Sequence, residues 1–198
     1  MGGLTSYRFS DFILFSENAY YRQFEFYNQA IWPLHLVALV FAFIILYALY
    51  IKTDKKPEWA GRVLAILLVA SWLWVAVAFL YLRFYQIHVV ANWYAFGFVL
   101  QAGLLLWYGV IKNRLLLHVK SHFMKITGSA LLLMSFIIYP FIALLSGRYW
   151  QQFEMFALAP DPTAIATFAI LLFYKVPWVL FVIPVIWLVL SGMTLLSM

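Results

Sequence analysis

Cysteine is absent from all 198 residues. That alone removes disulfides, thiolate metal sites and covalently attached haem. Charge is scarce as well: Asp, Glu, Lys and Arg together make up 10% of the chain, against roughly a quarter in a soluble domain. Catalytic signatures are missing too, with no phosphate-cradling glycine loop, no nucleophile elbow and no paired-histidine metalloprotease motif. These absences point away from an enzyme and away from a cofactor or metal protein. What the chain has in abundance is apolar surface, with 67% hydrophobic and 21% aromatic residues. Such a chain cannot cover itself with polar groups, so the expected fold is all-α: a polytopic membrane helix bundle in a single unit. The formal charge of +6 follows the membrane pattern described below, and no nucleic-acid partner is expected from it.

Apolar runs of about 20 residues each match a helix across the roughly 30 Å hydrocarbon core. Six are legible, at 31–51, 61–82, 92–111, 125–145, 155–174 and 178–197, the fifth interrupted by "APDPT". The expected organisation is therefore an N-terminal interfacial segment, 1–30, followed by a six-helix transmembrane bundle, 31–198. Residues 10–32, "SDFILFSENAYYRQFEFYNQAIW", interleave aromatics with charges, and Ser10 or Asp11 suits a helix cap. Such a segment either lies on the outer leaflet with its rings at headgroup level or folds over the bundle as a lid. No secretory signal peptide is expected, since the apolar stretch 12–15 is short and flanked by Asp11 and Glu17.

Charge orients the spans. Lys52, Lys55, Lys56 and Arg62 follow the first run, Lys112, Arg114, Lys120 and Lys125 the third, and Lys175 the fifth. The other side carries only Arg8, Arg22, Arg83 and Arg148, together with Asp11, Glu17, Glu25, Glu154 and Asp161. Basic residues concentrate on cytoplasmic loops, which places both termini outside and lays the basic loops against anionic lipid headgroups.

Polar side chains inside apolar runs are costly and mark either helix pairing or function. Glu25, Asn28, Trp32 and His35 recur at helical steps and share a face if the helix continues through Pro33 with a kink. Tyr94, Gly97, Gln101, Leu105 and Tyr108 form a second stripe, Gly97 being placed for close helix approach. Thr163, Thr167 and Tyr174, and opposite them Trp187, Ser191 and Thr194, complete the set. These groups are either interhelical glue or the lining of an outward polar cavity made by His35, Asn92, Gln101, Arg148, Glu154 and Asp161. Arg83 either snorkels to the interface or pairs with Asp161 or Glu154. His118 and His122 have a metal-ligand spacing, but Lys112, Arg114, Lys120 and Lys125 surround them and repel a cation. His35 and His88 as axial haem ligands find no other support in the chain.

In "APDPT" the expected roles are a cap and a break. Pro160 holds the approach extended, Asp161 caps, and Pro162 opens the helix where its missing donor costs nothing. A charge at that depth needs a wet or protein-lined pocket.

"YNQAIWP", "ANWYAFGFVLQA", and "APDPTAIATFAILL" followed by "IPVIWLVLSG" resemble the domain-of-unknown-function family 6064, small bacterial six-span membrane proteins. The resemblance runs from Phe12 to Thr194 and implies six spans in a bacterial inner membrane. The family's segment is Pro-Cys-Pro where this chain has Pro160, Asp161 and Pro162, so a thiol-based role would not carry over. A loose permease label on some members implies transport by association only. The expected function is a permease or channel-like binder of a small solute or ion. The alternative is a non-catalytic accessory subunit beside a larger membrane complex, with a quinone- or cofactor-binding helper behind it. A homo-oligomer is compatible with either.

Overall fold

The computed structural model describes residues 17–50, 58–117 and 121–197. The expected cap at Ser10 or Asp11, the lysines at 52, 55, 56 and 120, and His118 lie outside these residues. The described chain is all-α apart from one two-residue antiparallel pairing.

Helix α1 (Glu17–Ile31) is amphipathic, and Tyr20, Phe24, Tyr27 and Asn28 fall on one buried face. That face lies on the bundle. Phe24 stacks on Phe79 with centroids 4.5 Å apart, and Tyr20 meets Phe84 edge-on at 5.6 Å. Trp74 donates to the Tyr27 hydroxyl at 2.7 Å, which donates on to the Leu158 carbonyl at 2.9 Å. The continuous, kinked helix expected through Pro33 is not formed. The chain breaks at residues 32–33, and α2 (Leu34–Tyr50) leaves at 92° to α1. Proline both removes a donor and pushes the preceding Trp32 out of helical geometry, and two adjacent irregular residues suffice for a right-angle bend.

Helix α3 (Glu58–Trp74) runs on as a π-helical stretch, Val75–Tyr81; α4 (Ala91–Leu105) does the same over Leu106–Ile111. Helix α5 (His122–Leu133) passes through a π-helical stretch, Met134–Ile138, into α6 (Tyr139–Leu145). Helices α7 (Pro160–Leu172) and α8 (Val179–Ser197) complete the set. By length and composition four helical segments can cross a membrane: Trp59–Gln86, Ala91–Ile111, His122–Leu145 and Val179–Leu196. The bent α1–α2 pair makes a fifth if it counts as one span. The fifth apolar run yields only the 13 residues of α7, about 20 Å of helix, because residues 155–159 turn rather than coil.

Helix α7 is nevertheless the centre of the bundle, packed against α3, α5 and α8, with Pro160 through Ala164 all buried. Protein surrounds the irregular approach and its charge, which is the condition under which such backbone is tolerated at depth. At the far end of α7, β2 (Tyr174–Lys175) pairs with β1 (Leu116–Leu117), and Gly61 lies against the Leu115 carbonyl. Arg62, Arg114 and Lys175 therefore gather at one end of the bundle and Asp161 at the other. The tightest glycine contact between long helices is Gly109 against Ala65, where a side chain would overlap. Gly97, expected to serve that purpose, faces open space.

Candidate functional site

The site is built around the turn that precedes α7. Ala157 sits at φ 68°, a left-handed conformation that costs a residue with a Cβ roughly 1–2 kcal/mol. Thr163 holds it: its hydroxyl accepts from Ala157 N at 3.0 Å and donates to the Ala159 carbonyl at 2.6 Å. Ala159, extended at φ −118° and ψ 150°, is the N-cap of α7 and offers no side-chain cap. Asp161 therefore does not cap the helix, contrary to the sequence expectation, and the helix begins at Pro160 rather than Pro162. Both prolines fall in the first turn, where a missing N–H costs nothing.

The Asp161 carboxylate is occupied elsewhere. Oδ1 accepts from the Trp187 indole at 2.7 Å; Oδ2 accepts from the Ser191 hydroxyl at 2.6 Å and from the Tyr139 hydroxyl at 2.8 Å. Three donors from two other helices thus hold a buried carboxylate whose position in the first turn of α7 also suits the helix dipole. Beside Trp187 and Ser191 lies a cavity of about 30 Å³, walled also by Tyr20, His88 and Tyr94, room for about one or two waters.

Glu154, in the loop before α7, is the second buried carboxyl group. Burial, and then the neighbouring Asp161 carboxylate, push it up to about 8, with Arg148 pulling the other way. Arg148 Nη1 is 3.7 Å from Glu154 Oε1, an ion pair but too long for a hydrogen bond. The guanidinium lies over the Tyr21 ring, 3.8 Å from its centroid. Among the described residues, the buried atoms Arg148 Nε and Nη1 find no hydrogen-bond partner.

The family of unknown function DUF6064 matches this chain over residues 17–198. The chain belongs to that family. No curated protein and no solved structure matches it, so the site of this DUF6064 member rests on its own geometry.

Of the six residues expected to line one cavity, this DUF6064 chain brings together three: Arg148, Glu154 and Asp161. Arg148, rather than Arg83, pairs with Glu154. His35 lies one loop away, its Nε2 3.3 Å from Asn28 Oδ1 and its ring 5.1 Å from that of Phe153. It lines a different cavity from His88. Asn92 is exposed. Gln101 is a structural group: Pro184 leaves the Leu180 carbonyl without its helical donor, and Gln101 Nε2 donates to it at 3.0 Å. Thr167 likewise ties α7 to α3 by accepting from Trp72 at 2.8 Å. Tyr139 was legible in the sequence only as a hydroxyl inside the apolar run 125–145. Of the expected face Trp187, Ser191 and Thr194, the first two meet at the Asp161 carboxylate, and Thr194 instead donates to the Leu190 carbonyl.

Proposed function

We propose that this chain is a multi-pass protein of the bacterial inner membrane that binds a small polar solute or ion at the Arg148–Glu154–Asp161 cluster and passes it in a permease- or channel-like manner. The observation carrying the reading is a buried pair of carboxyl groups facing one guanidinium with unpartnered N–H donors. Buried donors of this kind are rare and costly unless something fills them. A solute with an acceptor group would satisfy Arg148, while Glu154, held near 8, takes up or releases a proton close to neutral pH. The short helix α7, beginning inside the bundle behind an irregular turn, resembles the broken helices from which transporters build their sites.

In the same reading, the bent α1–α2 pair and the run 155–174, with Glu154 just outside it, complete six spans. The clustering of Arg62, Arg114 and Lys175 at one end supports a cytoplasmic, headgroup-facing side there, with the carboxyl cluster and both termini outward. The test is flux. Protein reconstituted into liposomes holding a pH-sensitive dye should respond to one member of a panel of small solutes and ions, and Asp161→Asn should abolish the response. Flux equal to wild type in that variant removes Asp161 from the mechanism.

A second reading, an accessory subunit, draws on the exposure of the outer helices. The most apolar windows of α4, of α5 with α6, and of α8 are only 33%, 22% and 17% buried, which leaves wide faces for lipid, a second copy or a larger complex. Constant-stoichiometry co-purification in mild detergent favours that role over transport.

A further inference from the structure

The largest cavity described in the chain is separate from the carboxyl cluster. It is a half-open cleft of about 350 Å³ between the end of α1, the start of α2 and the loop 150–153, lined by Asn28, Gln29, His35, Gln151 and Phe153 and flanked by the largely exposed Trp32 and Trp150. That size falls in the range of small-molecule sites. Its polar chemistry is set by Asn28. The Asn28 amide nitrogen donates to the carbonyls of Gln151 and Phe153, each at 2.8 Å. Its Oδ1 is thereby turned to His35 Nε2. An oxygen there requires an N–H, so the neutral imidazole carries its proton on Nε2 and leaves Nδ1 as a bare acceptor. His35 is 7% exposed, and Nδ1 is buried with no hydrogen-bond partner among the described residues. The remaining walls are aromatic faces: Trp32 lies 5.9 Å and Phe153 5.1 Å from the His35 ring, and Trp150 stacks nearly parallel to Phe153 at 6.5 Å. Among the described residues, no charged side chain lines the space.

We propose that this cavity binds a neutral ring hydroxyl compound, a phenol or hydroquinone. Its O–H donates to His35 Nδ1 and its ring lies among Trp32, Trp150 and Phe153. An unpartnered acceptor on a lining residue asks for a donor, flat π faces ask for a ring, and a lining of aromatics and neutral amides offers no anchor to an anion. The site shares no side chain with the Arg148–Glu154–Asp161 cluster and stands whether or not that cluster passes a solute.

Calorimetric titration of the full-length protein in detergent, with micelle blanks, provides the test. The probes are 4-propylphenol and its methyl ether, which differ by the single donor. Wild type should bind the phenol roughly tenfold or more tightly than the ether, the cost of leaving a buried acceptor unmatched, and His35→Phe should erase that preference. Equal binding of the two by wild type, or a preference that survives in His35→Phe, overturns the proposal. So does tetramethylammonium displacing the phenol, which would make the walls a cation cage. Should His35→Phe not fold, ¹⁵N-histidine spectra of the wild type decide. An unprotonated Nδ1 signal must shift when the phenol is added, and no shift overturns the assignment. A decyl-chain hydroquinone and its dimethyl ether form the second arm. A preference larger there than for propylphenol identifies a bilayer-borne ligand, and a smaller one identifies a ligand from solution.

Discussion

Glu154→Gln should remove most of the pH dependence of this protein's stability. Glu154 is held at about 8, against an ordinary value of 4.5, by burial first and by Asp161 second, with Arg148 opposing. Between those values the folded protein holds a proton that the unfolded chain has released, so stability falls as pH rises, by about 1.4 kcal/mol per unit. Below the lower value both states are protonated and the penalty is absent; above the upper one both are ionised and it is complete. From about pH 5.5 to 7.5 the loss comes to roughly 3 kcal/mol, and for a chain of this length that is on the order of 5–10 °C in Tm. The groups around Glu154 are Asp161 of α7, Arg148, Tyr20 of α1 and Tyr139 of α6. Glutamine keeps the shape and stays neutral throughout. Thermal unfolding in detergent, followed by tryptophan fluorescence across that interval, should show a falling Tm for wild type and a nearly flat one for Glu154→Gln. Equal slopes in the two proteins, or a flat wild type, would refute the reasoning.

The hydrogen bonds make further predictions. Trp187→Phe removes a single N–H from the Asp161 carboxylate and should cost about 1.5–3 kcal/mol, read as a drop in detergent Tm. Gln101→Leu orphans the Leu180 carbonyl and should cost about 1–3 kcal/mol. Adding Pro184→Ala restores a helical donor to that carbonyl and should recover much of the loss, whereas additive effects of the two changes would contradict the assignment. Gly109→Leu, driven into Ala65, should prevent folding or cost several kcal/mol, while Gly97→Ala, facing open space, should leave Tm unchanged or slightly raised.

Long apolar runs made the membrane-length helices legible, because hydropathy over about 20 residues is a strong signal. Helices α3, α4, α5 with α6, and α8 lie where the runs at 61–82, 92–111, 125–145 and 178–197 placed them. Local backbone chemistry was read in kind but not in degree. Pro33 announced a disturbance, yet whether a proline kinks a helix or ends it depends on what the next helix packs against. Pro160 and Pro162 announced a helix start, but Asp161 between them was read as a cap. The competing donors come from Tyr139, 22 residues earlier, and from Trp187 and Ser191, 26 and 30 residues later. No local pattern registers them. Gln101 shows the same division. Pro184 within an apolar run foretells an orphaned carbonyl at Leu180, but which neighbouring helix supplies the donor is decided by packing alone. Asn92 failed for a simpler reason, since a polar residue at a span end is ordinary interface.

What lies against Arg148 decides whether the carboxyl cluster holds a solute. A structure determined in lipid nanodiscs at a resolution that shows ordered water and small ligands tests this directly. Non-protein density within hydrogen-bond distance of Arg148 Nε or Nη1, beside Glu154, is the predicted result. Finding those donors closed by protein groups, with the Glu154–Asp161 pair sealed and dry, would contradict a solute site and leave the cluster as interhelical glue.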